Sequence, residues 1–147
     1  METLLLVLLG LLAGSGIPVQ ASVNSALRQH LGRPEWATLV NFGAGFLVMA
    51  AILVAQRAPL PSAARLAGAP WWTWAGGALG AFFVFSTVVL APRLGVATSL
   101  AVILAGQTVS ALWLDHAGAF GLATREVTPA RLAGVALLAA GVFLVQR

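Results

Sequence analysis

The chain has 147 residues, 60% of them apolar and 8% charged, with 8 Lys and Arg, 4 Asp and Glu and no cysteine. A mean hydropathy of +0.96 lies far outside the soluble range, which excludes a soluble enzyme or nucleic-acid-binding module. The absence of cysteine excludes a disulfide framework and a thiolate metal site. The net charge of +4 sits on single arginines near the ends of apolar stretches, where they suit lipid headgroups and not DNA. Lysine is absent while arginine and alanine are abundant, the pattern of a GC-rich, bacterial coding sequence.

A span needs roughly 20 apolar residues to cross about 30 Å of hydrocarbon at about 1.5 Å per residue. Five stretches fit or approach this, at residues 4–27, 37–54, 72–90, 96–114 and 129–145. The expectation is an all-α, multi-pass membrane protein, a single membrane domain over residues 1–147, in a bacterial inner membrane. The first stretch has the position of a signal peptide. Met1-Glu2-Thr3 carries an acid where a basic n-region belongs, and the stretch is long, so it reads as a retained span.

Span one contains a small-xxx-small pair, Gly10 and Gly14, which permits close helix approach. Residues 14–18 weaken the helix, and Pro18 predicts a kink, with Gly16 and Pro18 as a hinge. Gln20 and Asn24 follow, four apart and so on one face. Amides are costly in lipid and should face protein or a water-filled cavity. Span two opens at Pro34-Glu35-Trp36, with Trp36 suited to the interface and Asn41 farther in. Span three begins with the aromatic belt Trp71-Trp72-Thr73-Trp74, then a close-packing face at Gly76, Gly77 and Gly80, then Phe82, Phe83 and Phe85. The phenylalanines read first as packing; facing a cavity, they would favour apolar or flat substrates. Pro92-Arg93-Leu94-Gly95 predicts a tight turn and a helical hairpin.

Span four carries Gln107 near its midpoint, with Thr108 and Ser110 beside it. Asp115 and His116 read as a polar helix end, since i,i+1 neighbours diverge on a helix. Span five starts with Thr128 as N-cap and Pro129 at the first helical position. It is short, and Arg131 and Arg147 are expected to snorkel. Gly134 and Gly141, seven apart, share a face.

Gln20, Asn24, Asn41 and Gln107 are the candidates for a polar substrate pathway. The competing reading makes them interhelical glue, worth about 0.6–2 kcal/mol each. There is no nucleophile–base–orienter set, no metal-ligand spacing and no phosphate loop, so neither an enzyme nor a cofactor is expected. With five spans, Arg57, Arg65, Arg125 and Arg131 share one side and Arg28, Arg33, Arg93 and Arg147 the other. The positive-inside rule then gives no instruction, which points to dual insertion and an antiparallel homodimer.

Gly16-Ile17-Pro18-Val19-Gln20 with Asn24 and Leu27, the run Trp71 to Ala81, Ala91-Pro92-Arg93-Leu94-Gly95, Ala105-Gly106-Gln107 and Asp115-His116-Ala117-Gly118 together resemble the YdcZ-type family of five-helix membrane proteins. That resemblance implies the drug/metabolite transporter superfamily, whose members of this type occur as antiparallel homodimers, paired paralogues or fused ten-helix chains. The run Gly134 to Val142 is similar to the dimerising last helix of small multidrug resistance proteins, implying that Gly134 and Gly141 pack against a second copy. Those proteins carry an essential glutamate in their first helix, and this chain has no acid between Thr3 and Gln29. The expected function is alternating-access transport of a small, neutral or weakly polar organic solute. The alternatives are a non-transporting accessory subunit and half of a heterodimer, against which the even arginine distribution argues.

Overall fold

The structure is a computed structural model that describes residues 2–121 and 123–146, so Met1 and Arg147 lie outside the described residues. All regular structure among them is helical. α1 spans Glu2–Leu31, α2 Pro34–Ala55, the short α3 Ala63–Ala67, α4 Ala75–Leu94, α5 Val96–Ala117 and α6 Pro129–Val145. A 3₁₀ turn at Trp71–Trp74 leads into α4, and another at Ala119–Gly121 follows α5.

Among the described residues, four helices are long and apolar enough to cross a membrane: Thr3–Leu31, Pro34–Ala55, Trp71–Leu94 and Val96–Ala117. α6 is shorter, at 17 residues, or roughly 25 Å. The helices overrun the apolar stretches that announce them because their ends have their own chemistry. Arg28 lies in the last turn of α1, where a cation is favoured by the negative end of the helix dipole. Gly32, at φ +78, then turns its N–H back to the Arg28 carbonyl at 2.8 Å.

α1 and α4 each contain a proline. Residues 14–18 do not interrupt α1, which continues through Pro18. Ser15 and Ser22 turn their hydroxyls onto the Leu12 and Pro18 carbonyls at 2.8 and 2.9 Å. Pro92 is not in a turn; it lies inside α4, which ends at Leu94. The connection to α5 is Gly95 alone, at φ 83 and ψ 155, a conformation essentially confined to glycine.

The chain forms two compact units, Met1–Val89 and Leu90–Arg147. In the first, Ala37, Val84 and Val88 form a small core with Leu27 and Phe83 packed against it. The Phe42 ring lies against α4 at Gly80, where a Cβ would sit 3.4 Å from Phe42 Cζ, in ordinary contact. Gly76 and Gly77, expected on the same close-packing face, have nothing within 4 Å of a Cβ, so of the three only Gly80 meets a neighbouring side chain. In the second unit α5 and α6 form an antiparallel hairpin. Asp115 at the end of α5 meets Arg131 at the start of α6 at 2.6 Å, and Thr98 Oγ1 reaches the Val145 carbonyl at 3.5 Å. Thr128 caps α6 as expected, accepting from Arg131 N–H at 3.3 Å.

Candidate functional site

The polar features of the first unit fall on one face of α1. Gln20, Asn24 and Arg28 recur every four residues and so stack along a helix. Asn41 of α2 meets them. Its Oδ1 accepts from Gln20 Nε2 and from Asn24 Nδ2, both at 3.2 Å. Asn24 is buried at 4% exposure, while Gln20 is exposed. Three of the four expected pathway residues therefore converge. Two bonds do not exhaust three amides: among the described residues, the Gln20 carbonyl and the Asn41 amino group have no partner. Ser25 Oγ, adjacent in sequence, is also buried without a partner among the described residues.

Arg28 completes the stripe in an unexpected way. Its Nη1 donates to the Val88 carbonyl on α4 at 3.1 Å. That carbonyl is free because its normal helical donor would be the N–H of residue 92, and proline has none. Val88 is fully buried, so water cannot substitute. Pro92 opens the acceptor and Arg28 fills it.

At the start of α2, Arg33 makes two bonds to the Glu35 carboxylate, each 3.3 Å. The hydrogen bonds it donates to Glu35, then the carboxylate's charge, hold the Arg33 guanidinium above its ordinary pKa. Glu35 also opens a groove of about 440 Å³ lined by Thr38, Leu39, Phe42, Phe82 and Phe85. The phenylalanine run thus divides: Phe83 packs on the core, whereas Phe82 and Phe85, three apart, wall the groove.

In the second unit Gln107 is exposed on α5 and has no partner among the described residues; its neighbour Thr108 bonds the Leu104 carbonyl at 2.8 Å. Asp115 does not pair with His116, and Arg131 does not extend freely: they pair with each other, with side chains 31% and 32% exposed. Gly134 and Gly141 border an open groove along α5 and α6 with Ala101, Leu104 and Leu137. Nothing lies within 4 Å of a Cβ at either glycine, so neither is small on account of a neighbour among the described residues of this unit. No metal-holding group of His, Asp and Glu occurs among the described residues.

Compared with known proteins, residues 5–144 match the family model described as "Putative inner membrane exporter, YdcZ". The chain belongs to the YdcZ family. It is also similar to the Inner membrane protein YdcZ of Escherichia coli (strain K12), 30% identical over 135 residues covering 92% of this chain and 90% of that one. No solved structure matches. Membership of the YdcZ family agrees with the resemblance read from the motifs. With the apolar helices, it makes the chain a multi-pass inner-membrane protein of the transporter class, which is non-enzymatic in kind.

Proposed function

We propose that the chain is a five-span protomer which, paired with an inverted second copy, moves a small polar organic solute by alternating access. The observation that carries this reading is the exposed amides at membrane depth. Gln20 and Gln107 lie well inside apolar helices, and both retain hydrogen-bonding capacity that lipid cannot fill. A solute passing through water-filled space can fill it. α6 is the fifth span. Its 17 residues suffice if the Asp115–Arg131 pair marks the membrane boundary, where the charges neutralise each other. Open glycine faces at Gly134 and Gly141 leave room for the second copy, and inverted repeats make the inward and outward states equivalent. Gly16 and Pro18 supply the flexible point in α1.

Gln107→Leu is expected to lower solute flux in reconstituted vesicles about tenfold, the worth of one lost hydrogen bond to the solute, with the melting temperature unchanged. The solute is first identified by a ligand-stabilisation screen. Normal flux in that variant defeats the site. Orientation is tested separately. A single cysteine placed within residues 57–69 is expected to react with an impermeant reagent from both sides of the membrane in similar amounts. Labelling from one side only excludes the antiparallel homodimer. A second reading, a packing subunit, draws on the Gln20–Asn41 and Asn24–Asn41 bonds; it predicts no flux at all.

A further inference from the structure

We infer that the groove between α2 and α4 seats one phosphatidylethanolamine molecule, with its headgroup on the Arg33–Glu35 pair and an acyl chain along the phenylalanines. Two cavities meet there. One, of about 290 Å³, is lined by Arg33, Glu35, Trp36 and Leu39. The other, of about 440 Å³, runs on past Thr38 to Phe42, Phe82 and Phe85. Glu35 and Leu39 border both, so a charged mouth continues into an apolar trough.

The mouth lies where headgroups lie. α2 begins at Pro34, and Trp36 beside it is the residue type of the membrane interface. The trough descends from there along a span, and Phe82 on its wall is 70% exposed. An apolar surface of this kind is ordinary beside lipid; the charged pair at its end is what selects.

Charge complementarity identifies the occupant. Arg33 and Glu35 make a dipolar pair with no net charge, and their side chains are 70% and 54% exposed. Such a pair contributes little to stability and exchanges readily for ligand charges. A phosphate suits the forked guanidinium, and a primary ammonium suits the carboxylate. Phosphatidylethanolamine carries both, adjacent. Phosphatidylglycerol lacks the cation and meets the Glu35 charge. Phosphatidylcholine has a cation but no N–H to donate.

The test uses the full chain, purified in detergent and offered equal amounts of the three lipids with identical acyl chains; bound lipid is read by native mass spectrometry. Phosphatidylethanolamine is expected to be retained about tenfold over the others, the worth of one charge-assisted hydrogen bond. Glu35→Gln should reduce it to the phosphatidylcholine level, and Arg33→Gln should lower retention of all three lipids. Both positions are exposed, so neither variant endangers folding. Equal retention of the three lipids, or an unchanged preference in Glu35→Gln, overturns the assignment. Soluble phosphoethanolamine is expected to compete poorly, because it leaves the trough empty; competition equal to the lipid's would make the ligand a free solute. Efficient thiol crosslinking of two copies through Phe82→Cys in bilayers would make the occupant a second copy, and would likewise overturn it.

Discussion

Methionine in place of Arg28 is expected to destabilise the protein by about 1–3 kcal/mol, the cost of leaving a buried acceptor unpaired. Adding Pro92→Ala should recover most of that loss. Alanine at 92 restores the N–H that the Val88 carbonyl lacks, so the helix supplies what Arg28 no longer does. The pair is thus strongly non-additive, and unfolding midpoints in mixed micelles measure it. If Pro92→Ala fails to rescue Arg28→Met, the bond seen at 3.1 Å contributes nothing and Arg28 acts through its charge alone. Within a membrane, helix association gains little from apolar burial and depends on packing and hydrogen bonds. The core here is small, so one such bond weighs heavily.

Asn41→Leu should have the largest functional effect. Leucine keeps the bulk but removes the oxygen that accepts from both Gln20 and Asn24. Two interhelical bonds are lost, for about 1–3 kcal/mol in total at membrane values. Asn24, buried, keeps an unpaired amide, and the face Gln20 presents to a solute loses its support. Flux is expected to fall more than about tenfold, whereas stability falls modestly. Flux near wild type would show that the cluster only joins α1 to α2.

The helical architecture was legible because apolar length is a coarse signal that needs no tertiary information. Thr128-Pro129 announced the start of α6 correctly, since a cap and the first helical turn are local. Pro92 departs from its expected turn for the converse reason. Next to Gly95 it resembles turn chemistry, but a proline in a last helical turn is tolerated when another group takes the freed carbonyl. That group, Arg28, lies 60 positions from Val88, beyond the reach of any periodicity. A usable signal exists nonetheless: Gln20, Asn24 and Arg28 stand at a helical repeat that continues one turn past Asn24. The Asp115–Arg131 pair joins residues 16 positions apart across a connector, beyond helical periodicity, although the ends of a helical hairpin must meet. Phe82, Phe83 and Phe85 could not be sorted into wall and core without α2 beside them.

A transport pathway through the amides requires that Gln20 face a water-filled path. The native chain has no cysteine, so Gln20→Cys gives a unique thiol at that position. In sealed vesicles the rate of its reaction with an impermeant methanethiosulfonate is the measurement. A water-filled path predicts rapid modification, slowed by the transported solute. A thiol that reacts only with a lipid-soluble maleimide, and is indifferent to solute, would put Gln20 against lipid or in a dry helix contact and contradict the pathway.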